Sequence, residues 1–258
     1  MILSSSDELG YVPKRIISLV PSQTELLHYF KLDTETIAIT RFCVHPSDWF
    51  SSKQKIGGTK ALHIEKILAL EPDLIIANKE ENIQEQVEAL AAHCPVWVTD
   101  VKTMEDARQM IADIGKLTGR SSQASSLVQS IDIAFNELKP LQSSPNTAYL
   151  IWKDPLMTVG GDTFIHNLME KAGFHNIFFD TERYPEITLE DLLSKNCNLI
   201  LLSSEPYPFG EKHVAAFQDS LPGVKVLLVN GEMFSWYGSR LLEAPAYFQK
   251  LQVEAGLA

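Results

Sequence analysis

The sequence predicts an α/β protein, with two parallel-sheet α/β lobes joined by a long α-helix, and three observations carry that expectation. Short β-branched runs alternate with helical segments from the N-terminus to about residue 101. From Thr103 to Leu138 the strand pattern disappears and only helical periodicity remains. The alternation then resumes and runs to the end of the chain. Strands separated by helices of this length imply βα units and parallel sheets. The expected divisions are a first lobe over 1–101, linking helices over 102–140 and a second lobe over 141–258.

Taken in order, Ile16 to Val20 is a strand ended by Pro21, and Ser22-Gln-Thr-Glu25 reads as a capping box opening a helix. A strand at 37–40, a helix at 62–70, a strand at 74–77, a helix at 82–92 and a strand at 96–99 complete the first lobe. Met104, Ala107, Met110, Ile111, Ile114 and Leu117 make one helical face. Ala124, Leu127, Val128, Ile131, Phe135 and Leu138 make another, ended by Pro140. A helix of about nineteen residues there would reach about 28 Å, which suits a strut between lobes. The second lobe reads as strands at 147–152, 177–179, 199–202 and 224–229, with helices at 163–172, 189–195, 211–218 and near 240–253.

The halves also echo each other. Leu62-His-Ile-Glu65-Lys-Ile-Leu68, followed by Asp73-Leu-Ile-Ile-Ala77, aligns with Ile187-Thr-Leu-Glu190-Asp-Leu-Leu193 and Asn198-Leu-Ile-Leu-Leu202. The apolar positions, the single glutamate and the following strand all match at one offset.

Composition narrows the function. A net charge of −11 and the lack of any Lys/Arg-rich stretch argue against nucleic acid. No apolar run approaches the length of a membrane span, about 20 residues. Cys43, Cys94 and Cys197 are scattered and odd in number, so they read as small buried residues rather than a disulfide framework or zinc site. The N-terminus lacks the basic and apolar regions of a signal peptide. As written the chain is expected in the cytoplasm, as a monomer; a removed leader would make it periplasmic or surface-associated.

Ligands of parallel α/β sheets sit beyond the carboxyl ends of the strands, which selects the loops to inspect. Trp152, Tyr184, Tyr207, Phe209, Phe234, Trp236 and Tyr237 all fall in second-lobe loops of that kind. Together they suggest a wall for a large, flat or apolar ligand, with Phe209 and Phe234 expected to pack beneath their own loops. The Gly160-Gly161-Asp162-Thr163 turn opens a helix, where free N–H groups could hold an anionic group or Asp162 or Thr163 could simply cap. His45, Thr59, Lys60 and Asn78 are the first-lobe candidates for ligand contact. No metal-ligand spacing, nucleophile elbow or catalytic triad can be assembled, so binding rather than catalysis is expected, with no cofactor of its own.

Three segments carry a family resemblance: Arg15-Ile-Ile-Ser-Leu-Val-Pro-Ser-Gln-Thr-Glu25, Ile56-Gly-Gly-Thr59 and Ile64-Glu65-Lys-Ile-Leu-Ala-Leu-Glu-Pro-Asp73-Leu-Ile-Ile-Ala77. With the element order, they make the chain resemble the helical-backbone binding proteins. These are the substrate-binding components of vitamin B12, haem and ferric-siderophore ABC importers, and the vitamin B12 binders are the subgroup it looks most like. The resemblance implies a ligand held between two lobes, with aromatic residues flanking a corrin. It places those aromatics at Tyr184, Trp236 and Tyr237, followed by Arg240, and puts the first-lobe aromatic on Thr59. It also implies docking on a membrane permease through one acidic residue per lobe, Glu65 and Glu190, where a first-turn glutamate favoured by the helix dipole would look the same.

The expected function is thus binding of a corrinoid (cobalamin-like) or related metal chelate, with a ferric siderophore or haem as alternatives. A chelatase-like enzyme would need His45, Glu80 and Glu205 in one ligand shell. A ligand-free regulatory module would show Trp236 and Tyr184 packed on each other.

Overall fold

The structure is a computed structural model that describes residues 1–257. The chain divides into two compact α/β units. The first comprises Met1–Val101, Glu105–Ser130 and Tyr237–Arg240, and the second Lys102–Met104, Ile131–Trp236 and the chain from Leu241 onward.

The strands of the first unit are β1 (Ile2–Leu3), β2 (Ile16–Ser18), β3 (Thr36–Ile39), β4 (Gln54–Lys55), β5 (Gly57–Gly58), β6 (Ala61–Leu62), β7 (Leu74–Asn78) and β8 (Val96–Thr99). Six of them form a sheet ordered β1-β8-β7-β2-β3-β4 in which every pairing is parallel. β5 and β6 make a separate antiparallel hairpin. Every residue of β2 and β7 is buried. A parallel sheet is covered on both faces, so its central strands are apolar along their length rather than alternating.

Helices α1 (Pro21–Tyr29), α2 (Ser47–Ser52), α3 (Ile64–Leu68) and α4 (Gln84–Ala91) connect these strands. α1 starts on Pro21, whose missing N–H would find no partner in a first turn anyway. The expected capping box is therefore not formed: Val20 is the N-cap, Ser22 is buried inside the first turn, and Glu25 accepts from Arg240 instead. α3 is shorter than the expected 62–70 because Leu62 ends the hairpin.

Helices α5 (Met104–Leu117) and α6 (Ser121–Asn136) follow, and all six apolar residues of the expected α5 face are buried. α6 has 16 residues instead of about nineteen, so it is about 24 Å long. The division between the units falls within it, after Ser130.

The second unit contains β9 (Asn146–Trp152), β10 (Met157–Thr158), β11 (His175–Asn176), β12 (Leu199–Ser203) and β13 (Lys225–Val229). The order is β10-β9-β12-β13, with β11 beside the start of β9, and only β10 runs antiparallel. The expected strand at 177–179 forms two residues earlier. Asn176 captures the Phe178 N–H with its side chain at 3.0 Å and turns the chain, so Ile177 and Phe178 enter the core instead. Helices α7 (Phe164–Lys171), α8 (Leu189–Ser194), α9 (Glu211–Ser220), α10 (Glu232–Ser235) and α11 (Ala244–Glu254) complete the unit. A 3₁₀ turn, Ser239–Leu242, precedes α11.

Thr163 caps α7, accepting the His166 N–H at 3.2 Å while its hydroxyl donates to the Gly160 carbonyl at 2.9 Å. Thr163→Ala removes both bonds at a buried position and is expected to cost about 1 kcal/mol. A thermal unfolding midpoint equal to wild type would contradict this.

Candidate functional site

At the carboxyl end of the first sheet, a buried polar network sets the loop backbones. Asn78 ends β7 and spends its whole side chain locally. Its Oδ1 accepts the Glu80 and Glu81 N–H groups at 2.8 and 3.2 Å, and its Nδ2 donates to Thr99 O and Oγ1, each at 3.1 Å. Asn78 therefore builds this turn. Gln23 reaches the same Thr99 hydroxyl from α1 at 2.5 Å.

Asn82 ties in the neighbouring loop. Its Oδ1 accepts the Asn78 N–H at 2.9 Å, and its Nδ2 donates to the Thr59 carbonyl at 3.1 Å. Thr59 itself is buried, and Lys60 is exposed with its ammonium on the Glu80 carbonyl. Thr59, Lys60 and Asn78 are thus brought together, through Asn82 at the end of the same loop. His45 is half-buried in the loop after β3.

That loop also carries an exposed aromatic. Phe42 is 48% exposed at the carboxyl end of β3. Its Cε2 lies 2.9 Å from the place a Cβ on Gly58 would occupy, so it rests on bare hairpin backbone. Arg41 stacks beside it, the guanidinium carbon 5.1 Å from the ring centre. A single phenylalanine in a short loop reads as a core anchor, which is why sequence pattern alone passed over it.

In the second unit the expected aromatic wall is only partly a surface. Phe209 and Phe234 pack inside, as expected. Trp236 is also buried, as is Tyr237, which falls in the first unit. The Trp236 indole N–H donates to Glu205 Oε1 at 3.1 Å, and the Ser235 hydroxyl donates to the same oxygen at 2.7 Å. Burial and the nearby Glu205 carboxylate push the Tyr149 phenol far above its ordinary range, so it stays a neutral donor to Ser203 at 3.0 Å.

Of the expected wall, the aromatics left at the surface are Trp152, 39% exposed, and the half-buried Tyr207 and Tyr184. Trp152 meets Tyr207 edge to face at 5.6 Å, and Tyr207 sits on Phe209 at 4.7 Å. Below them His213 is buried, which holds its imidazole below the ordinary value and neutral at pH 7. Its Nδ1 accepts the Gly210 N–H at 2.9 Å, leaving the proton on Nε2, 3.3 Å from the Tyr207 hydroxyl.

Tyr184 is positioned by a strap, residues 179–185, that crosses the Gly160-Gly161 turn. Gly160 N–H donates to Arg183 O and Gly161 N–H to Thr181 O, both at 2.8 Å. These two N–H groups are therefore committed to the strap. The glycines are needed because an added Cβ would overlap the strap's own carbonyls, Phe179 for Gly161 and Thr181 for Gly160. Asp162 accepts the Arg183 N–H at 2.5 Å, and the Arg183 guanidinium lies 5.4 Å from the Tyr184 ring centre.

Arg240 is engaged with Glu25, with Nη2 2.6 Å from Oε1 and Nε 3.1 Å from Oε2. Glu65 and Glu190 are each the second residue of their helix, α3 and α8, and both are exposed. Among the described residues no three His, Cys, Asp or Glu side chains gather as a metal site, and no helix is long and apolar enough to cross a membrane.

Residues 16–221 match the family described as periplasmic binding protein. A vitamin B12-binding protein of Pectobacterium carotovorum is 27% identical over 240 residues, covering 90% of this chain and 86% of the relative. Among solved structures, the periplasmic vitamin B12 binding protein BtuF of Vibrio cholerae superposes with a TM-score of 0.78 at 22% identity, covering 95% of this chain and 99% of that one. The periplasmic heme binding protein HutB of Vibrio cholerae gives 0.78 at 19% identity, covering 92% and 98%.

Proposed function

The chain belongs to the periplasmic binding protein family, and on that premise we propose that it binds a corrinoid or closely related metal chelate as the substrate-binding component of an ABC importer. The observation that carries the ligand class is the placement of exposed aromatic faces at the carboxyl ends of both sheets. Phe42 stands there in the first unit, and Trp152, with the half-buried Tyr207 and Tyr184, in the second. A corrin is a large plate with apolar faces and an amide rim, and aromatic rings offer such a plate area at little conformational cost. The names of the relatives point the same way, and the binding is without turnover.

Glu65 and Glu190 are the residues proposed to meet the permease. Glu190 stands between the exposed Leu189 and Leu193, so that helix face offers a charge set in an apolar surround. This reading places the protein outside the cytoplasmic membrane; the expected cytoplasmic location finds no support in solved relatives described as periplasmic.

The test is a titration of tryptophan fluorescence and visible absorption with cobalamin, cobinamide, haem and ferric hydroxamates. Saturable quenching by cobalamin or cobinamide is expected, with Phe42→Ala weakening binding about tenfold, the scale of one lost aromatic contact. Saturation by haem alone would move the ligand to the haem alternative that the HutB likeness suggests. No saturable response to any of the four sinks the proposal.

A further inference from the structure

We propose that the first unit carries a second binding site, for a phosphate-class oxyanion, in a concavity of about 360 Å³ around the Gly57–Gly58 hairpin. Arg41, Lys55, His63 and Lys66 line it, and no acidic residue does. The chain as a whole carries −11, so three cationic side chains, Arg41, Lys55 and Lys66, around one hollow run against its average field. Gathering like charges costs free energy unless an anion is there to meet them.

The geometry says which groups would hold it. The Arg41 guanidinium lies along Gly58, its Nε and Nη2 at 3.3 and 3.5 Å from where a Cβ would stand. It lies over the Phe42 ring, and among the described residues no carboxylate pairs with it. Its fork is thereby free to grip an oxyanion through two parallel bonds. Lys66 arrives from α3 and anchors its ammonium on the Lys55 carbonyl at 2.6 Å, which leaves it further protons to donate.

The Lys55 ammonium itself is turned to the Phe50 and Lys53 carbonyls at 2.5 and 2.8 Å, so it adds positive field rather than a direct bond. His63 is exposed at the rim. Donors arriving from two elements suit a tetrahedral anion, whose oxygens point in several directions, better than a flat carboxylate. The site shares with the chelate reading only Phe42, on which Arg41 stacks, and either can fail while the other stands.

The experiment is a titration of the isotopically labelled full chain with inorganic phosphate, with adenosine monophosphate, and with chloride at matched ionic strength, followed by amide NMR. Saturable shifts centred on Gly57, Gly58 and Lys66 are expected with phosphate and not with chloride. The Arg41→Gln, Lys66→Gln double variant should bind about tenfold more weakly or worse, while Lys250→Gln on α11 should titrate as wild type. Saturation by adenosine monophosphate as well identifies the phosphate group as the determinant; saturation by it alone identifies an organic phosphate. Both changed side chains are exposed, and an unchanged dispersed spectrum of the variant confirms its fold. Shifts that merely follow ionic strength, or that persist unchanged in the double variant, overturn the proposal.

Discussion

Arg240→Ala is expected to lower the stability of the protein by about 3–5 kcal/mol, the scale for removing one partner of a buried ion pair. The Arg240 and Glu25 side chains are only 10% and 18% exposed, and they meet through two bonds of 2.6 and 3.1 Å. Most of the loss arises because the Glu25 carboxylate loses the guanidinium in a poorly hydrated position, not because the pair was strongly stabilising. Two corollaries follow from that cause. Glu25→Ala should be comparably damaging, and Glu25→Gln combined with Arg240→Met should recover most of the loss. Urea unfolding decides: a midpoint shift equivalent to less than about 1 kcal/mol would mean the pair behaves like a solvated surface bridge.

The second large effect is expected at Gly161. Its alanine variant would drive a Cβ into the Phe179 carbonyl, and backbone cannot swing aside as a flexible side chain can. The 179–185 strap must lift, straining the Gly161–Thr181 and Gly160–Arg183 bonds, at a cost of about 1–3 kcal/mol for overpacking alone. Tyr184 rides on that strap, so on the proposed reading chelate binding should weaken together with stability. Asp162→Ala separates the two contributions, since it removes only the side-chain hold on Arg183. Gly161→Ala melting at the wild-type temperature would show that the strap is not held as described.

The α/β class and most of the strand–helix order were legible because they depend on local periodicity. The face of α5 was readable residue by residue, and so was the matched position of Glu65 and Glu190. The site was harder to read wherever a residue's role is set by a distant partner. Glu25 has the spacing of a capping box, and only its partner 215 residues away shows that it does something else. Trp236 looks like a ligand wall until Glu205 claims its indole N–H. The Gly160-Gly161 pair did signal close approach of a backbone, but what approaches is the chain itself. β1 has two residues and pairs only with β8, too short a run to show any period.

The Asn78–Asn82–Thr99 network bears on the timing and cost of recognition. Loops whose N–H groups are already claimed by buried amides have little freedom left to lose when a ligand arrives. The amides of Asn78, Glu80 and Glu81 should therefore exchange slowly with solvent deuterium in the empty protein, and ligand should slow them little further. The first unit would then meet its ligand as a surface set at folding, with the free energy of contact spent on affinity rather than on ordering.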